Sequence, residues 1–166
     1  VGEVAVRSPL LTSGYYKDPD RTAEAMKGGW FHTGDNAYRD EEGYYYFVDR
    51  KKDVIRRRGE NISSAEVELV LFSHPDVTEA AVIPVPSELG EDEVKACIVP
   101  TDGADLKPAS IVEWCEARLA KFKVPRYIEF RESLPKTPTQ KVEKYVLRRE
   151  KTDLTEGCWD RERAKG

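Results

Sequence analysis

Three short stretches carry residue types that could act on hydroxyl or phosphate groups. His32-Thr33-Gly34-Asp35 sets a carboxylate beside a glycine. At a strand end such a carboxylate can accept from two vicinal hydroxyls, as ribose recognition requires. It can equally sit in a turn and cap its own backbone. Residues 49–63, DRKKDVIRRRGENIS, gather Arg and Lys in a chain whose formal net charge is −4. Arg50 offers a planar fork of donors suited to phosphate or ribose oxygens. Arg56, Arg57 and Arg58 read either as a ligand-facing run or as a solvated face. A nucleic-acid patch is a further reading of such a run, but Asp53, Val54 and Ile55 interrupt it and no aromatic residues interleave for base stacking. The third stretch is Pro135-Lys136-Thr137-Pro138-Thr139-Gln140-Lys141. Two prolines restrain it, and a restrained loop can deliver one Lys to a developing negative charge. The plain alternative is a surface Lys at a helix start, where a cation sits mildly against the dipole. His32 and His74 have no metal-spaced partners. His32 reads as structural and His74 as a cation at a helix C-terminus. No metal site is expected.

These residues need elements to hold them. VGEVAVRSP alternates as a strand. A short helix follows, with Asp20 as its expected N-cap. WFHTGDNAYRDEEGYYYFVDR reads as two strands about the turn DEEG. DVIRRRGENIS reads as two short strands about a GEN turn. Ser63-Ser64-Ala65-Glu66 is a capping box, with Val67, Val70 and Leu71 on one helix face. VTEAAVIPVP and EVKACIVP are strand-like. Pro108 opens a helix with an apolar stripe of Ile111, Trp114, Cys115 and Leu119. YIEFR is a strand and VEKYVLRREK a closing helix. The order predicts an α+β fold: a hairpin and a three-stranded, largely antiparallel sheet with packed helices.

Composition bounds the rest. The chain has 166 residues, 35% charged and 39% hydrophobic, enough for a modest core and too apolar for disorder. The slightly acidic balance argues against a dedicated nucleic-acid binder. No apolar run approaches the ~18 residues of a membrane span. Cys97, Cys115 and Cys158 are odd in number and widely spaced, so a disulfide framework or zinc site is not expected and a reducing cytoplasm is. The strand-like opening without Met leads us to expect a fragment.

Taken in order, GYYKDP, GWFHTGD, GYYYFVDRKKDVIRRRGENISSAEVE and LPKTPTQKV resemble the adenylate-forming superfamily of acyl-CoA synthetases, peptide-synthetase adenylation domains and luciferases. The tail EGCWDRERAKG is similar to the crotonobetaine/carnitine-CoA ligase branch. The resemblance implies that residues 1–49 end a large N-terminal domain and that residues 50–166 form a small mobile domain hinged near Lys52. It implies an acid activated by ATP as acyl-adenylate and passed to CoA, with Mg²⁺ as a further clamp. By the same resemblance Asp35 binds the ribose hydroxyls, Arg50 contacts that ribose, and Lys141 reaches acid and phosphate in the first step. Gly59 would line the thiol channel, and Phe122, Lys123 and Arg126 would meet the CoA nucleotide. Val124 stands where some relatives carry a basic residue, and Gln140 where Gly is usual. The superfamily's phosphate loop and acyl pocket are not among these residues, so the chain alone is expected to be inactive and its first partner to be its own N-terminal domain. Two alternatives stand beside this: an adenylation domain loading a carrier protein, and a non-catalytic binding or regulatory module.

Overall fold

The computed structural model describes residues 1–87 and 90–165. They fall into two compact units, Val1–Lys52 and a second that begins at Asp53.

The first unit is a three-stranded antiparallel sheet, β1 (Gly2–Val6), β2 (Phe31–Arg39) and β3 (Tyr45–Arg50), with β2 central. Helix α1 (Pro19–Ala25) lies between β1 and β2 in the chain. Asp18, not Asp20, caps it, accepting the Arg21 N–H at 3.0 Å. Pro19 explains the shift, because its fixed φ and missing N–H suit the first helical position and leave the residue before it as the cap. A bulge between Asn36 and Ala37 adjusts the β2–β3 register, and beyond it Tyr38 stacks on Tyr46 with centroids 4.9 Å apart.

The second unit opens with the hairpin β4 (Ile55–Arg57) and β5 (Glu60–Ile62). Arg57 pairs with Glu60, so the loop is Arg58-Gly59 and not GEN. Both loop residues have positive φ, +53° and +78°, which is the twist that matches a two-residue hairpin. Helix α2 (Ser64–Phe72) follows, with Ser63 Oγ accepting the Glu66 N–H at 3.2 Å as its cap. Then come β6 (Val77–Pro86), β7 (Asp92–Pro100), α3 (Pro108–Glu116), β8 (Tyr127–Phe130), α4 (Lys144–Leu147) and β9 (Trp159–Asp160). The three expected strands are present, and the two-residue β9 adds a fourth at the edge, giving the order β6-β7-β8-β9. The β7–β8 pair is parallel, as a helical crossover through α3 allows, and the other pairs are antiparallel. The closing helix is a single turn, Lys144–Leu147.

Both faces of this sheet are covered, which is why VTEAAVIPVP is almost continuously apolar. Ala80, Val82, Val94, Ala96 and Ile98 pack on one face with Ile55, Ile62, Val67, Leu71, Ile111 and Cys115. Ala81, Ile83 and Cys97 pack on the other with Leu134 and Leu147. Alternation along a strand sends successive side chains to opposite faces. A bulge between Val77 and Glu79 breaks that alternation and lets Val77 join the first face. His74 is buried against Trp114, and its Nδ1 accepts the Asp76 N–H at 3.1 Å.

Candidate functional site

In the first unit, Asp35 and Arg50 form a direct cross-strand pair on β2 and β3. Asp35 lies within a strand, not in a turn. Thr33 Oγ1 donates to the Val4 carbonyl at 2.8 Å and accepts the Asp35 N–H at 3.1 Å. Gly34 takes the left-handed φ of +74° that a strand residue with a Cβ resists, and its N–H donates to Glu3 at 3.2 Å. The backbone of Asp35 is thus set by Thr33 and Gly34, leaving the carboxylate to face Arg50. The Arg50 Nε lies 3.1 Å from Asp35 Oδ1, ion-pair distance without an aligned hydrogen bond, and that buried oxygen has no other hydrogen-bond donor among the described residues. Arg50, Thr33, Gly34 and Lys52 line a cavity of about 670 Å³, as do Glu3 and His32. His32 bridges Glu3 and the Lys27 carbonyl, each at 3.2 Å, in keeping with the structural reading. The His32 bond, helped by Lys51, holds the Glu3 carboxyl below the usual range. Lys52 is exposed within the 3-10 turn Lys51–Asp53.

In the second unit, Lys141 closes a tight loop. The Thr137 N–H donates to the Lys141 carbonyl and the Gln140 N–H to the Thr137 carbonyl, both at 2.9 Å. The Lys141 N–H donates to Thr137 Oγ1 at 3.1 Å. Gln140 sits at φ +64°, the left-handed region where Gly is at ease and a residue with a Cβ is not. Leu134 and Val142 anchor the two ends of the loop on the second sheet face. Lys141 lies outside α4, so no helix dipole opposes it. Its side chain is exposed and makes no ion pair among the described residues. Its neighbours differ, since Lys136 is 2.5 Å from Glu79 and Lys144 is 2.7 Å from Glu68.

The hairpin and the 122–126 segment meet through Arg57. This arginine is 2% exposed. Its Nη2 lies 2.7 Å from Glu93, and its Nη1 donates to the carbonyls of Phe122 at 2.8 Å and Val124 at 3.4 Å. The basic run is therefore not uniform, with Arg56 and Arg58 outward and Arg57 inward. Gly59 is exposed, and a Cβ there would touch nothing within 4 Å, so its φ and not crowding requires glycine. Phe122 is half-buried against the first core face and Val124 is fully buried. Lys123 Nζ donates to both Glu66 oxygens at 2.6 and 2.7 Å. Arg126 donates to Asp160 at 3.1 and 3.2 Å and lies 3.3 Å from Glu162 and 3.6 Å from Glu93. The Asp160 bond outweighs desolvation and raises the Arg126 pKa.

Sequence reasoning missed Glu93 as the partner of the buried Arg57, and Lys95, 1% exposed and 2.6 Å from Glu129. The one signal for Lys95 was a lone charge inside the apolar run EVKACIVP.

The family described as "AMP-binding enzyme C-terminal domain" matches residues 66–141. The crotonobetaine/carnitine–CoA ligase of Proteus sp. is 43% identical over 151 residues, 89% of this chain and 29% of the ligase. The amide bond synthetase McbA from Marinactinospora thermotolerans superposes with a TM-score of 0.78 at 43% identity, over 91% of this chain and 31% of that one. ATP-bound MatB from Rhodopseudomonas palustris gives 0.84 at 33% identity, over 93% and 31%. The chain thus spans under a third of the length of these relatives.

Proposed function

Residues 66–141 belong to the AMP-binding enzyme C-terminal domain family, and from that premise we propose that this chain is the C-terminal part of an acid–CoA ligase. The intact protein activates a carboxylic acid with ATP as acyl-adenylate, releasing pyrophosphate. A thiol of CoA then takes the acyl group and AMP leaves.

The observation that carries this reading is the placement of two segments within the second unit. The Lys141 loop is anchored on one face of the β6–β7 sheet through Leu134 and Val142. The hairpin that ends in Gly59 is anchored on the opposite face through Ile55 and Ile62. A rigid unit with two working edges on opposite faces presents one at a time, which suits a two-step reaction. Lys52 is the proposed pivot.

In the first step an anionic acid must approach an anionic phosphate. The Lys141 ammonium, which makes no ion pair among the described residues, neutralises that approach and orients the reactants. Asp35 Oδ1, a buried acceptor without an aligned donor, suits a ribose hydroxyl, and Arg50 adds donors beside it. In the second step the Gly59 turn lines the path of the thiol arm. Phe122 offers its half-exposed ring to the adenine, and Lys123 and Arg126 face its phosphates, in exchange for their present carboxylate partners. Among the described residues no group of three His, Cys, Asp or Glu is placed to hold a metal ion.

The test is Lys141→Ala in the full-length protein. Acyl-adenylate formation, followed by pyrophosphate exchange into ATP, should fall by about 10²-fold or more. Thioester formation from supplied acyl-adenylate should survive. Equal losses in both steps would overturn the two-face scheme. The similarity to an amide bond synthetase favours a second reading, with an amine as acceptor. Turnover of the adenylate with amines but not with CoA would select it.

A further inference from the structure

Three consecutive acids, Glu91 just before β7 and Asp92 and Glu93 at its start, each meet one residue of the Arg56–Arg58 run. Glu93 takes the Arg57 guanidinium at 2.7 Å. The other two take backbone. Asp92 Oδ2 accepts the Arg56 N–H at 3.3 Å. The two oxygens of Glu91 accept the N–H groups of Arg58 and, at 3.0 Å, of Gly59. Those N–H groups belong to successive left-handed residues, which turn their donors into one concavity that suits an anion. Glu91 supplies that anion from within the chain.

We propose that Glu91 is a positioning residue for the acceptor step, and that its carboxylate holds the Arg58-Gly59 turn in the shape the thiol arm meets. The acceptor-step half of this statement rests on the ligase reading given above. The physical need is plain. Arg58 occupies a conformation that L-residues avoid, and a hairpin of two three-residue strands is marginal by itself. Without the carboxylate, the two N–H groups turn to water and Arg58 is released from the left-handed region. With it, the turn is tied to the segment that leads into β7.

The experiment has two arms. Backbone amide exchange is measured residue by residue on this chain, wild type against Glu91→Ala and Glu91→Gln. Glu91→Ala should speed exchange at Arg58 and Gly59 by about tenfold, the scale of one lost charge-assisted hydrogen bond. Glu91→Gln, which keeps an acceptor, should give a smaller rise, and α2, β6 and β7 should keep wild-type rates. Unchanged rates at Arg58 and Gly59, or a rise spread evenly over the whole second unit, would overturn the clamp. The second arm uses the full-length protein. Glu91→Ala should raise the KM for the thiol acceptor several-fold, leave adenylate formation unchanged, and be partly rescued by Glu91→Gln. Faster local exchange with an unchanged acceptor KM would leave the clamp standing and overturn the hairpin's assignment to the acceptor step.

Discussion

Asp35 and Arg50 face each other across β2 and β3, with Arg50 Nε 3.1 Å from Asp35 Oδ1. The pair is partly open to solvent, with side chains 34% and 56% exposed although Asp35 Oδ1 itself is covered. An exposed pair of this kind contributes at most about 1 kcal/mol to stability. Its placement therefore matters more for what the two groups can offer a ligand than for holding the sheet together.

Asp35→Ala in the full-length protein should raise the KM for ATP about tenfold, the scale of one lost charge-assisted hydrogen bond. Arg50→Ala should raise it less, since Asp35 keeps its acceptor. Neither should move the thermal midpoint by more than about 4 °C. A large loss of stability with an unchanged KM would make the pair structural.

Gln140→Gly tests the left-handed position before Lys141. The φ of +64° costs a residue with a Cβ about 1–2 kcal/mol, and glycine gives back part of that relief through its unfolded-state entropy. Urea unfolding should show Gln140→Gly neutral or more stable by up to about 1 kcal/mol. Gln140→Val, β-branched at the same φ, should be clearly less stable.

The basic run should split on substitution. Arg57→Ala takes the close guanidinium from the largely buried Glu93, leaving it only Arg126 at 3.6 Å, and removes the donor to two carbonyls. It should cost about 3 kcal/mol or more. Arg56→Ala and Arg58→Ala should stay within about 0.5 kcal/mol of wild type. Chemical denaturation of the three variants side by side decides between this and a uniformly solvated face.

Stability should be flat at neutral pH and fall on both sides. Burial raises the Glu129 pKa, but bonds from Lys95 and Lys151 outweigh it and leave the carboxyl below its ordinary 4.5. Asp160 lies below its ordinary 3.8 for the same balance, with Arg126 as partner. A depressed folded pKa gives stability that is present above the ordinary value and lost as pH falls through the folded one. The acid limb therefore begins near pH 4.5. Burial pushes the Cys97 and Cys115 thiols from 9.0 up to about 12. A raised folded pKa gives stability that is complete below the ordinary value and lost as pH rises through the folded one. The alkaline limb therefore runs from pH 9.0 towards about 12. Urea midpoints across pH check both limbs, and Cys115→Ala should flatten part of the second.

Much was legible before any coordinates. Alternation gave β1, the apolar runs gave β6 and β7, Ser63 gave the start of α2, and Pro108 gave the start of α3. The loop that carries Lys141 was readable from its two prolines. All of these rest on contacts within a few residues, where side-chain period, turn chemistry and capping act directly. What the chain could not declare locally was which charge goes inside. Arg57 looks like Arg56 and Arg58 in sequence, yet it alone is buried, because its partners at Glu93, Phe122 and Val124 are far along the chain. Lys95 is buried for the same reason, through Glu129 on the neighbouring strand. The parallel β7–β8 pair, the late β9 strand, the Glu91 clamp and the division of the Gly59 hairpin and the Lys141 loop between opposite faces also depend on strand order and register. Those follow only when distant segments pack, since desolvation and pairing of a charge are properties of the assembled surroundings and not of the residue's neighbours in sequence.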